Sequence, residues 1–243
     1  MNEDLDNLQY SPIRDYEYAK WFQKAHYNGK TLTPDERNEF IANIDEQIDN
    51  NEIGLQMMSS DLKEINNSQG LFYDIERTII SVFLFTTLTM SDCMVASKYF
   101  LLADTDYDRR FMRGKLKIIL NEGFKRLYGY EEKTKNKSEW SRLLPLMKYF
   151  PEIIKRQHHE VTNLLEKHSK SSSWWKEERD NETHLEAEKL YESRQIDIIE
   201  SKVMMEATDL LGALQAVKKF MTNVNACLLN YTIDKKRRGE LLG

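Results

Sequence analysis

The feature that most constrains the fold is a long run of regularly spaced apolar residues near the C-terminus. Nine apolar side chains follow one another at intervals of three or four: Ile199, Val203, Ala207, Leu210, Leu214, Val217, Met221, Val224 and Leu228. Because an α-helix turns once every 3.6 residues, this spacing puts all nine on one face. The pattern predicts a long helix whose apolar seam packs inside a helical bundle or against a second subunit. Several other long helices in the chain favour bundle packing.

The rest of the chain also has helical spacing, and its composition offers little for a sheet. Nine Gly and four Pro in 243 residues leave few turn residues, and no segment alternates apolar and polar residues as a half-buried strand does. We expect an all-α helical bundle with a four-helix core and extra N-terminal helices. Residues 1–70 form an N-terminal tail and helical extension, and residues 71–243 form the bundle.

Helix starts and breaks can be read from particular residues. Thr33, Pro34 and Glu36 combine an N-cap, a proline at the first helical position and a capping-box glutamate. The polar run 66–70 ends this helix. Further helices are expected over about 72–103, 107–128 and 140–168, the last divided by two prolines.

Charge and hydropathy bear on localisation and partners. The net charge is −5, and the first residues are acidic and polar, unlike a signal peptide. The longest apolar run, residues 79–88, is about half the roughly 20 residues that a membrane span needs. We therefore expect a cytoplasmic protein with no membrane partner. Cys93 and Cys227 lie in apolar helical patterns, are not spaced as a C-x-x-C motif, and are interpreted as core residues.

Basic residues are concentrated in one part of the chain. Residues 107–170 contain 16 Lys and Arg against 8 Asp and Glu, an excess of +8. This excess could form a basic wall that contacts RNA, although charge on bundle helices more often serves only to solvate them.

Common cofactor and metal motifs are missing from the sequence. The Glu-x-x-His pairs of di-iron bundles do not occur, nor do the glycine-rich phosphate-binding loops or H-E-x-x-H. The pair His158-His159 is interpreted as solvated helix surface. We expect no cofactor and no metal site.

One polar constellation remains: Arg179, Asp180 and His184. Asp180 and His184 are four residues apart, so on a helix they share a face, and the carboxylate can orient the imidazole. Arg179 and His184 are five apart and diverge by roughly 140°. They can meet in one site only if the helix breaks or a second subunit contributes its copy. An arginine fork, an orientable histidine and a carboxylate can hold a phosphate and move protons.

With this motif the sequence resembles the HEPN superfamily, whose members carry an Arg, often followed by Asn, Asp or His, and then a His four to six residues after the Arg. Arg179-Asp180 and His184 match that pattern. The resemblance extends over about 72–230, with long helices, including the stretch 121–129, before the motif and one long helix after it. It places the chain near the abortive-infection and toxin-like branch.

The resemblance implies a HEPN-like four-helix core and a homodimer whose motifs face each other across a cleft. In active members it implies metal-independent RNA cleavage, in a toxin, an abortive-infection factor or an RNA-processing enzyme, with Arg179, Asp180 and His184 as the catalytic residues. An antitoxin-type protein is then an expected partner. The alternative is a catalytically silent HEPN-like dimer that binds a nucleotide or a protein. A third reading is a structural helical protein in which the motif residues simply pair with neighbours.

Overall fold

The computed structural model describes residue 12, residues 32–172 and residues 200–237 of the chain. These residues form six α-helices and two 3₁₀ turns, and no strand occurs among them. The helices are α1 (Pro34–Ile65), α2 (Leu71–Leu102), α3 (Asp106–Leu127), α4 (Glu132–Lys135), α5 (Glu152–Ser172) and α6 (Glu200–Arg237). The 3₁₀ turns span Trp140–Arg142 and Leu144–Tyr149. The expected all-α helical bundle is confirmed.

The helices begin where the capping residues predict. The Thr33 side chain accepts a hydrogen bond from the backbone N–H of Glu36 at 3.3 Å, and the Glu36 carboxylate accepts one from the N–H of Thr33 at 2.7 Å. This reciprocal pair satisfies two of the free donors at the start of α1. Thr105 caps α3 in a similar way, accepting from the N–H of Asp108 at 3.1 Å.

Contacts between neighbouring helices fix their directions. Asp45 and Asn51 of α1 reach Lys98 and Ser91 of α2, so a higher number on one helix meets a lower number on the other. The same holds for α5 and α6, where Gln157 accepts a hydrogen bond from Asn223 at 3.0 Å and His168 lies beside Asp209. Both pairs are therefore antiparallel. Helix α2 packs against α1, α3 and α6.

The apolar seam of α6 lies in the core, as its spacing predicts. Every described member of the seam is buried: Val203, Ala207, Leu210, Leu214, Val217, Met221, Val224 and Leu228. Ile199 lies outside the described residues. Cys93 is buried and its sulfur lies 4.0 Å from the carbonyl oxygen of Ala207, whereas Cys227 is only half-buried. Cys93 is therefore a core residue, as expected, whereas Cys227 packs against the edge of the core.

Helix α2 has the length and composition of a membrane span. An 18-residue window within its 32 residues has a mean hydropathy of 1.8. This window is longer than the ten-residue apolar run found in the sequence. However, 56% of that window is buried inside the bundle, and the core helix of a soluble protein passes the same test. The helix is consistent with a soluble protein.

Helices α2 and α3 approach closely at Gly123. A Cβ atom placed on Gly123 would lie 2.5 Å from Cγ2 of Thr89, which is shorter than any normal contact. Thr89 is buried, and its hydroxyl donates a hydrogen bond to the carbonyl oxygen of Phe85 at 2.9 Å. A β-branched side chain held in this way has little freedom to move. Glycine at 123 therefore sets the spacing of the two helices.

We predict opposite effects for the same substitution at two helical glycines. Gly123→Ala should lower the free energy of unfolding by about 1 kcal/mol, because overpacking against Thr89 outweighs the gain in helix propensity. Gly54→Ala should raise it by up to about 1 kcal/mol, since the nearest atom to its added Cβ is 4.0 Å away. Urea denaturation measures both. Adding Thr89→Ser, which removes Cγ2, should cancel most of the Gly123→Ala penalty; equal effects at the two glycines would refute the close contact.

Candidate functional site

The predicted catalytic residues Arg179, Asp180 and His184 lie outside the described residues. Helix α5 ends at Ser172 and α6 begins at Glu200, so the motif belongs to the 27 residues between them (199 − 172). The structure describes the part of the bundle to which this segment is attached.

A buried ion pair joins α3 to α6 near that attachment. Lys117 of α3 is only 2% exposed, and its ammonium group contacts the carboxylate of Glu206, whose side chain is 12% exposed. Glu206 lies in the second turn of α6, six residues after its start. Two charges held this far from water must be paired, because an isolated buried charge is very costly. The pair fixes the position of the first turns of α6 against α3.

A histidine meets a second carboxylate of α6, about one helical turn after Glu206. Nδ1 of His168, in the last turns of α5, is 3.4 Å from Oδ2 of Asp209, which follows Glu206 by three residues on α6. The His168 side chain is fully buried, and its ring centre lies 4.8 Å from that of Phe124 on α3. The carboxylate of Asp209 can fix the orientation of the imidazole. Helices α3, α5 and α6 therefore meet around His168.

Asn121 adds a buried amide on α3. It follows Lys117 by one helical turn and precedes Phe124 by three residues, so it shares their side of α3. Its side chain is 0% exposed, and within the described part of the chain neither amide atom has a hydrogen-bond partner. Such a group costs about 1–3 kcal/mol when left unsatisfied. It is a strong donor and acceptor at the centre of a polar region.

We call these five residues the buried polar cluster: Lys117, Asn121, His168, Glu206 and Asp209. None of them was predicted from the sequence, although one sequence feature pointed to two of them. Lys117 and Asn121 stand among the core residues Leu116, Leu120 and Phe124, and a charged residue on an apolar helical face points to a buried partner. The cluster combines a cation, two carboxylates, an imidazole and an amide. Much of its charge is compensated within the cluster, since Lys117 contacts Glu206 and His168 lies beside Asp209.

The histidine pair differs from its sequence interpretation. His159 is exposed, as expected, but His158 is only 7% exposed and stacks on Trp140, with ring centres 4.8 Å apart and planes inclined by 2°. Phe220 of α6 lies against the same imidazole, at 5.8 Å. The interpretation of His158 as solvated surface was wrong, because Trp140 and Phe220 enclose this side of α5. Burial lowers the pKa of His158 to about 4, and neighbouring His159 adds to the effect.

The basic excess of residues 107–170 is partly neutralised within the fold. Glu139 lies within 4 Å of both Arg126 and Arg142, and Glu166 similarly contacts Lys135 and Lys170. Several exposed lysines make no ion pair with any described residue: Lys133, Lys137, Lys148 and Lys167. Lys167 and Lys170 belong to the last turns of α5, so positive charge remains where the chain enters the motif segment.

No group of three or more His, Cys, Asp or Glu side chains within residues 32–172 and 200–237 is arranged to hold a metal ion. No family model, no curated protein and no solved structure matches this chain.

We predict that His158 makes stability depend on pH. The ordinary pKa near 6.5 is lowered to about 4 in the folded protein, so between these values the unfolded chain binds a proton that the folded chain does not. Stability is then full above about pH 6.5 and falls by roughly 3 kcal/mol as the pH drops to 4. Urea denaturation across this range measures the slope. His158→Phe should flatten it, His159→Gln should leave most of it, and equal slopes in all three proteins would contradict the buried histidine.

Proposed function

We propose that this chain is a HEPN-like protein that cleaves RNA without a metal ion and acts as a homodimer. The observation that carries the proposal is the motif Arg179-Asp180 followed by His184, attached to the final long helix of the chain. The helical bundle supports it, since an all-α architecture is what the HEPN resemblance requires. Fold alone does not define activity, so the proposal depends on the motif.

The motif supplies the groups that cleavage by an internal nucleophile needs. The 2′-OH of the RNA attacks the adjacent phosphorus; a new O2′–P bond forms, and the bond from phosphorus to the 5′-oxygen breaks. His184, with an ordinary pKa near 6.5, can accept the proton of the 2′-OH or donate one to the leaving oxygen. Arg179 stays protonated and clamps the non-bridging oxygens as negative charge grows. Asp180, one turn before His184, orients the imidazole. The products are a 2′,3′-cyclic phosphate and a free 5′-OH.

The angular separation within the motif supports a homodimer, with a break in the helix as the alternative. On one continuous helix Arg179 and His184 diverge by roughly 140° and cannot both contact one phosphate. Two chains related by a two-fold axis can each contribute their copies to a shared cleft. A cytoplasmic toxin or abortive-infection factor with an antitoxin-type partner is the biological setting that the resemblance favours.

The described surroundings of the motif segment are compatible with RNA. Lys167 and Lys170 lie within six residues of the start of the segment, and Lys133 in α4 and Lys137 just after it are exposed. Positive side chains near a cleavage site attract the phosphate backbone regardless of sequence. These lysines support the proposal through charge, and the chemistry remains with the motif.

A second candidate function is a catalytically silent bundle that binds a nucleotide, and one observation favours it. The amide of Asn121 is buried beside Lys117 and has no hydrogen-bond partner in the described part of the chain. An amide can recognise a base edge through paired donor and acceptor atoms.

We predict cleavage of RNA by the purified protein in the presence of EDTA. His184→Ala should slow cleavage by about 10²–10⁴-fold through loss of proton transfer, and Arg179→Ala by a comparable factor through loss of charge stabilisation. Asp180→Ala should cost less, because the imidazole remains. Gel analysis of single-stranded and structured RNA gives the rates, and end-group analysis identifies the cyclic phosphate.

Two substitutions act as matched controls. Arg194→Ala removes another arginine from the same segment, and His159→Ala removes an exposed histidine of α5; neither should change the rate. Equal cleavage by wild type and both motif variants would contradict the proposed site. Absence of cleavage by any protein, together with nucleotide binding that Asn121→Leu abolishes, would establish the second candidate instead.

A further inference from the structure

One face of α2 carries apolar residues turned towards solvent over about four helical turns. Leu88, Val95, Tyr99 and Leu102 are 44%, 38%, 56% and 48% exposed. They are separated by seven, four and three residues, so at 100° per residue they lie within about 60° of one another. We call these four residues the α2 stripe. The exposed Asp92 borders this face between Leu88 and Val95, and the three residues Val95, Tyr99 and Leu102 follow one another without interruption. An exposed apolar face of this kind on a soluble protein commonly marks an interaction surface.

The neighbouring helices of α2 leave the stripe uncovered on either side. Ser91 and Lys98, which contact α1, lie about 70° to one side of the stripe centre. Thr89, which meets Gly123 of α3, lies about 100° to the other side. Cys93, which faces Ala207 of α6, lies roughly 140° away. The stripe therefore runs between α1 and α3 and points away from α6.

The two flanking helices carry opposite charge. Helix α1 has 2 Lys and Arg against 9 Asp and Glu, a net charge of −7. Helix α3 has 7 against 3, and without the buried Lys117 it retains 6 against 3, a net charge of +3. The surface is thus an apolar stripe with an acidic border on one side and a basic border on the other.

We propose that the α2 stripe is an interface with a second copy of this chain, arranged with the two α2 helices parallel. A two-fold axis along α2 brings the acidic α1 of one copy against the basic α3 of the other, and it does so twice. The antiparallel arrangement would instead face α1 with α1 and α3 with α3, which like charges oppose. Only the parallel arrangement of the two α2 helices therefore places opposite charges against each other on both sides of the stripe.

The charge of the surface fits a protein partner better than a membrane. The acidic α1 beside the stripe would be repelled by an anionic lipid surface. We therefore assign a second copy of this chain as the partner of the stripe.

The α2 stripe contains none of the motif residues and lies on the side of α2 that faces away from α6. A chain that associates through the stripe and also through the proposed cleavage cleft assembles into species larger than a dimer.

The test measures molar mass by light scattering over a range of protein concentrations. We expect Tyr99→Glu and Leu88→Glu to halve the mass of the wild-type assembly. Leu144→Glu is the matched control, since it changes a 66% exposed leucine outside the stripe and should leave the mass unchanged. Arg179→Ala and His184→Ala should also leave it unchanged. Circular dichroism shows that each variant is folded.

A charge exchange tests the orientation. Asp49→Lys on α1 and Lys115→Glu on α3 should each weaken association, and the double variant should restore it, because both contacts are then reversed together. A wild-type monomer at all concentrations would overturn the proposal, as would stripe variants with unchanged mass. Sedimentation of the wild type with anionic vesicles, lost in Tyr99→Glu, would assign the stripe to a membrane and overturn it as well.

Discussion

The ion pair of Lys117 and Glu206 is the constraint on which the packing of this bundle most depends. A lysine that is 2% exposed can keep its charge only if a partner stays in contact. Replacing such a pair by apolar residues is often neutral or stabilising, whereas removing one partner is severe. We infer that the pair sets the register of α6 on α3. The apolar residues of the α6 seam repeat about every seven residues. The seam alone would therefore also allow α6 to pack two helical turns further along α3.

The register of α6 on α3 determines which residues of α6 contact α5. It places Asp209 beside His168 on α5 and brings Phe220 against His158. It also fixes both ends of the segment that carries the proposed catalytic motif, because α5 ends four residues after His168. On the far side of α2 the stripe remains available for a partner. The molecule thus separates a charged end, where the motif segment is attached, from an apolar face.

Much of the fold could be predicted from the sequence, because helix boundaries are set locally. The helix predicted over 72–103 spans Leu71–Leu102, and the helix predicted over 107–128 spans Asp106–Leu127. The agreement is close because capping residues and apolar spacing act within a few residues. Burial of His158 could not be predicted, because it depends on Trp140 and Phe220, which are distant in the sequence. The same is true of the buried polar cluster, whose members come from three helices. The motif residues stay a prediction, since they lie outside the described residues.

The most direct test is a double-mutant cycle on the Lys117–Glu206 ion pair, in which urea denaturation measures the free energy of unfolding. Lys117→Met and Glu206→Leu should each lower the free energy of unfolding by about 3–5 kcal/mol, because each removes one half of a largely buried ion pair. The double variant should recover most of that loss while losing the unique register, seen as broadened amide resonances of α6. Additive losses in the double variant, or a Lys117→Met protein as stable as wild type, would contradict the central role of the pair.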